Sequence, residues 1–120
     1  MAGSLWELPV TLHKIPGLPV PIAGGVYFRV LPFILSKWAI GQSIGKGQAV
    51  VSYFHPYDID IKQERFMHPD LGGKKHLNML MYIGRAKVLK RLDILHRSFP
   101  LQAYGDYVNH LQAGSLVPTD

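Results

Sequence analysis

With 120 residues, 48% of them hydrophobic, the chain has room for one domain (residues 1–120) and a single core. The absence of cysteine excludes a disulfide framework and any cysteine-ligated zinc. Thirteen lysines and arginines against eight aspartates and glutamates give a net charge of +5, which suits an anionic partner and equally an ordinary solvated surface.

The opening MAGSLWELPVTLHKIPG lacks the charged start and long apolar core of a signal peptide. Apolar runs further on are broken by Arg29, Pro32, Ser36 and Lys37, short of the ~20 residues that a spanning helix needs. These features give a cytoplasmic domain with no membrane segment. Residues 5–12, LWELPVTL, read as a short edge strand interrupted by Pro9. Pro16, Pro19, Pro21, Gly17, Gly24 and Gly25 make residues 14–26 an irregular path. Ile15, Leu18, Val20 and Ile22 give it reason to pack on the domain.

Residues 30–44 fit a helix with Pro32 in the first turn and Gly45 at the stop. Leu31, Ile34, Leu35, Trp38 and Ile44 lie near one face. Ala49-Val50-Val51 with Tyr53 and Phe54, between Gly47 and Pro56, read as a buried strand. Residues 61–76 form a long polar loop. Residues 77–98 read as one amphipathic helix, with an apolar stripe through Leu77, Leu80, Met81, Gly84, Val88, Leu92 and Leu95. Arg85, Lys87, Lys90, Arg91 and Arg97 fall on its solvated face. A short amphipathic piece at 104–111 precedes a flexible tail, about residues 113–120.

The chemistry concentrates at the end of the 47–54 strand. Pro56 has no N–H and turns His55 away from helical geometry, so an imidazole stands at a strand end, followed by Tyr57, Asp58 and Asp60. An imidazole near neutral pKa can pass a proton at working pH, and a hydrogen-bonded structural histidine is the plainer alternative. His55, His68 and His76 match no zinc spacing, which leaves the chain without a metal site of its own.

Four segments, in order, carry a resemblance. They are Trp6-Glu7-Leu8-Pro9-Val10-Thr11, Gly24-Gly25-x-Tyr27-Phe28-Arg29, Tyr53-Phe54-His55-Pro56-Tyr57-Asp58-Ile59-Asp60 and Leu77-Asn78. Together they resemble the C-terminal half of NodB-like bacterial polysaccharide deacetylases, in the branch tied to exopolysaccharide and exosortase clusters, over residues 5–112. The resemblance implies an α/β fold, a partial (β/α)-barrel-like module with a few strands and two main helices. It implies His55 as the acid that protonates the leaving amine of an N-acetyl amino sugar, with Glu7, Arg29, Tyr57 and Asp58 in the sugar site. Tyr57-Asp58 stand where the family has Trp-Glu.

The family's Thr-Phe-Asp-Asp and His-x-x-x-His motifs, which bind its divalent metal, are absent from this sequence. No cofactor is therefore expected on this chain, and the module is not expected to be catalytic by itself. The expected partners are the missing N-terminal half, a second copy of the chain, and carbohydrate; nucleic acid is not expected. The alternative is a small basic interaction module that binds an anionic polymer or a protein through the 85–97 helix.

Overall fold

The structure, a computed structural model, describes residues 5–115. Its first regular feature is a hairpin. β1 (His13–Ile15) and β2 (Leu18–Val20) pair antiparallel, with Ile15 opposite Leu18 across a two-residue Pro16-Gly17 turn. Proline presets the first turn position and glycine suits the second. The proline-rich stretch is thus a hairpin, and its far end feeds Val20, Ile22 and Ala23 into the core. Residues 5–12 form no strand; among the described residues no strand pairs with them, and Pro9 removes one of the donors.

A short helix, α1 (Gly25–Val30), leads through Pro32 into α2 (Phe33–Gly45). The buried face of α2 is Ser36, Ala39, Ile40 and Ser43, not the expected stripe of Leu31, Ile34, Leu35, Trp38 and Ile44. Ile34 is 83% exposed and Trp38 55%. The helix is apolar nearly all round, so pattern alone does not select a face. Its small side chains permit the closest approach to the core. Trp38 instead meets His13 edge-on, ring centroids 5.5 Å apart.

The second expected helix is divided. α4 (Lys75–Leu80) ends in a turn at residues 81–84, a 3₁₀ turn covers Arg85–Lys87, and α5 (Val88–Ser98) follows. The break sits at Gly84, which has φ +79, a left-handed conformation that side-chain-bearing residues adopt only with strain. A Cβ placed there would lie 2.6 Å from the carbonyl oxygen of Arg29, so α1 crosses directly over this point. The last helix, α6 (Tyr104–Ser115), begins where the amphipathic piece was expected and runs beyond it. It covers the start of the expected tail, and the remainder of that tail lies outside the described residues. The chain is therefore of the mixed α/β class, a two-stranded sheet among helices.

The core joins the hairpin end to α1, α2 and α5 through Val20, Ile22, Phe28, Ala39, Ile40, Val88 and Leu95. Phe28 lies at its centre, fully buried, edge-on to Phe54 at 5.2 Å and to Phe33 at 6.2 Å. Such aromatic pairs add about 1 kcal/mol each beyond the area they bury. Arg91 of α5 reaches across to the C-terminal carbonyls of α1. Its Nη1 donates to Phe28, and the carbonyl of Leu31 lies 3.1 Å away. A cation placed on otherwise unpaired helix carbonyls supports both the hydrogen bonds and the helix dipole. Arg91→Ala is expected to lower stability by about 2 kcal/mol, read as a lower urea midpoint at unchanged slope.

Residues 48–55 belong to no helix or sheet, and the last of them, His55, has an extended backbone, φ −93 and ψ 156. Side-chain propensity favours a strand there, yet a strand exists only where a second backbone accepts its hydrogen bonds. Among the described residues no strand pairs with this segment. The segment is held at points instead: Gly25 N–H donates to Tyr53 O at 3.2 Å, Val51 N–H to Thr11 Oγ1 at 2.8 Å, and Tyr104 Oη to Ser52 O at 2.9 Å. The radius of gyration is 17.4 Å, larger than the roughly 14 Å of a compact domain of this length. Among the described residues no helix is long and apolar enough to cross a membrane.

Candidate functional site

His55 ends the 48–55 segment and caps α3 (Pro56–Ile59), its own backbone extended at φ −93 and ψ 156. Pro56 occupies the first helical position, where its missing N–H is harmless. Three residues after the histidine, Asp58 turns back on it. Its Oδ2 accepts the His55 backbone N–H at 2.9 Å and lies 3.5 Å from Nδ1 of the ring. The first distance is a firm hydrogen bond. The second is an ion-pair separation when the ring is protonated. The sequence order His-Pro-x-Asp thus builds its own cap, and the cap fixes the backbone that carries the imidazole.

Asp58 is fully buried, and its other oxygen, Oδ1, lies 3.0 Å from Nε of Arg29. Arg29 is buried as well. Its Nη1 reaches the carbonyls of Leu80, Met81 and Ile83 at 3.2, 3.1 and 2.8 Å. Burial lowers the Arg29 pKa from its ordinary value; Asp58 opposes that shift, and the charge of Arg85 adds to it. The carboxylate is therefore charge-compensated, and the pair forms a rigid floor beneath His55.

Above that floor the imidazole is open, with its side chain 51% exposed. It stacks on Tyr57, centroids 4.8 Å apart and planes within 8°, and meets Tyr53 edge-on at 5.9 Å. Two aromatic walls and a buried carboxylate orient one accessible imidazole. A positioned, solvent-accessible imidazole held by a third group is the arrangement that acid–base catalysis uses.

The structure brings four of the five sequence-selected residues together: His55, Tyr57, Asp58 and Arg29. The last two are buried and paired with one another beneath the histidine. Glu7 lies exposed in the N-terminal segment and forms no ion pair with this group. Among the described residues no three His, Asp or Glu side chains converge as metal ligands.

Sequence reading missed Arg85. It was placed on a solvated helix face, but it is buried and wraps the turn before α5. Nε and Nη2 donate to Met81 O at 3.0 and 2.7 Å, and Nη1 to Asp60 O at 3.1 Å and Gln63 Oε1 at 2.9 Å. Its guanidinium lies over Tyr82 at 4.6 Å and Tyr57 at 5.9 Å. The available signal was Gly84 just ahead of it, a residue that ends helices as readily as it continues them. With Arg91 also engaged on α1 and Arg97 paired to Asp93 at 2.9 Å, the 85–97 face offers fewer free cations than its sequence suggests.

Comparison with curated proteins finds no match, and comparison with solved structures finds none either. The family model of a domain of unknown function, DUF3473, matches residues 1–109, nearly the whole chain, and the chain belongs to that family.

Proposed function

We propose that the chain is the C-terminal module of a polysaccharide deacetylase acting on N-acetyl amino sugars, not catalytic alone, with His55 as the acid for the leaving amine. The observation that carries this reading is the exposed His55 imidazole on the buried Asp58–Arg29 floor. As the tetrahedral intermediate collapses, the C–N bond breaks and the protonated ring gives its proton to the departing nitrogen. Tyr57 and Tyr53 wall the ring, and Asp58 holds the backbone that presents it. The metal-assisted attack of water belongs to the motifs that this sequence lacks.

Residues 48–55 support a second part of the proposal, that the module completes a barrel-like sheet with its missing half. A β-prone segment that lies outside the sheet and is held only at points has further backbone groups for a neighbouring strand. Exposed apolar side chains such as Leu5, Ile34 and Leu18, 94%, 83% and 61% accessible, supply surface for that half or for a second copy.

The test supplies in trans a polypeptide with the Thr-Phe-Asp-Asp and His-x-x-x-His motifs and follows acetate release from chitooligosaccharides. The chain alone is expected to release none, and the mixture to release acetate. His55→Ala is expected to lower that rate by about 10²–10⁴-fold. Acetylated oligomers are also expected to shift the His55 ring signals in NMR spectra of the chain alone. An unchanged rate in the variant, or ring signals indifferent to the oligomers, overturns the proposal.

A further inference from the structure

We infer that the cavity between residues 61–65 and the Gly84–Lys87 turn binds an oxyanion, a carboxylate or a phosphate, carried by the glycan that reaches His55. The glycan rests on the function proposed above, whereas the anion rests on the charges alone. The cavity measures about 270 Å³, and Arg65, Arg85, Lys87, Gln63 and Tyr82 line it with no aspartate or glutamate among its lining residues. A concave site walled by one sign of charge focuses its field inward and draws the opposite ion.

Arg85 makes the argument specific. Its guanidinium is buried, and every partner it has among the described residues is a neutral oxygen, from Met81, Asp60 and Gln63. The buried carboxylate nearby, Asp58, is already paired with Arg29. The charge of Arg85 is felt at Arg29, where it contributes to the lowered pKa after burial and despite the attraction of Asp58. A buried cation without a counter-charge is unfavourable unless an anion comes to it. The exposed Arg65 and Lys87 stand at the same cavity and can close on that anion from outside. Guanidinium groups match carboxylate and phosphate oxygens in geometry as well as charge.

One aromatic ring links the cavity's Arg85 to the histidine. Arg85 lies over Tyr57, and Tyr57 stacks on His55. An acidic sugar unit held at Arg85 would place its neighbour in the chain against the imidazole. The substrate class is then an acidic polysaccharide.

The experiment titrates the full chain with four probes: inorganic phosphate, oligogalacturonate, N-acetylglucosamine 1-phosphate and neutral chitotetraose. Arg65, Arg85 and His55 signals are followed by NMR. The anionic sugars are expected to shift the arginine signals and to bind at least ~tenfold more tightly than chitotetraose. The Arg65→Gln/Lys87→Gln double variant removes two exposed charges and leaves Arg85 in place. It is expected to lose that margin while unfolding at the parent's urea midpoint. The stronger of the carboxylate and phosphate arms identifies which oxyanion the site takes. Anionic probes that bind no better than the neutral one, or a double variant that binds as the parent does, overturn the inference. Arginine shifts with no response at His55 would keep the anion site and remove the deacetylase reading. A His55 response to chitotetraose with no gain from anionic groups would do the reverse.

Discussion

Gly84→Ala is expected to lower the stability of the chain by about 3 kcal/mol, through strain and overpacking together. The residue has φ +79, and an added Cβ would meet the Arg29 carbonyl oxygen at 2.6 Å and the Arg29 Cβ at 3.2 Å. The first contact is with backbone, which cannot swing aside as a flexible side chain would. Relief must come from moving α1 away from the turn before α5, and that movement stretches the bonds from Arg29 to Leu80, Met81 and Ile83. Gly72 separates the two components. It has φ +55 and nothing within 4 Å of an added Cβ, so Gly72→Ala carries only the dihedral part, about 1–2 kcal/mol. Urea unfolding of both variants checks the difference. Equal losses would show that α1 does not press on Gly84.

Asp58→Ala is expected to cost about 3–5 kcal/mol, since it leaves a buried guanidinium without its counter-charge. The loss is compounded because Arg85 is close enough to act on Arg29, so two like charges would share the interior with nothing opposite. The cap on His55 disappears in the same step, as its N–H loses Oδ2. Arg29→Met removes the other partner and leaves Asp58 buried and uncompensated, at a comparable loss. The double variant Arg29→Met/Asp58→Ala is expected to be markedly more stable than the sum of the two losses implies. A coupling of at least about 2 kcal/mol is the expected result of that cycle. Additive single losses, or an Asp58→Ala loss below about 1 kcal/mol, would show that the two side chains do not depend on one another.

What was legible in the sequence follows from how local each signal is. Pro32 and Gly45 bracket α2 within a residue or so, and the stripe through Val88, Leu92 and Leu95 marks α5. Pro56 stops the 48–55 segment where its missing donor requires. The faces and breaks were less legible, because both depend on distant neighbours. Helical spacing runs through Gly84 without interruption, and only the passage of α1 overhead explains a left-handed residue there. Residues 48–55 have the side chains of a strand, but pairing is a property of two segments and cannot be read from one. His55 and Asp58 were visible as a motif. The Arg29–Asp58 pair was not, since no rule of spacing joins charges from separate elements. Arg85 and Arg91 looked like surface cations for the same reason: their acceptors are carbonyls, which every residue possesses.

Arg29 touches Asp58 on one side and residues 80–83 on the other. Each contact closes a loop whose entropy is lost before any of its bonds can form. The side chain is thus a coincidence detector: both regions must be in place before its full set of contacts exists. A nascent chain that has emerged only through Asp58 has the motif but not the carbonyls that fix its floor. The local cap of Asp58 on His55 needs only the motif itself, and the floor beneath it is completed when residues 80–83 arrive. A nick in the loop at 61–74 leaves every residue of the motif intact and parts Arg29 from the carbonyls of residues 80–83, unless the two pieces stay together.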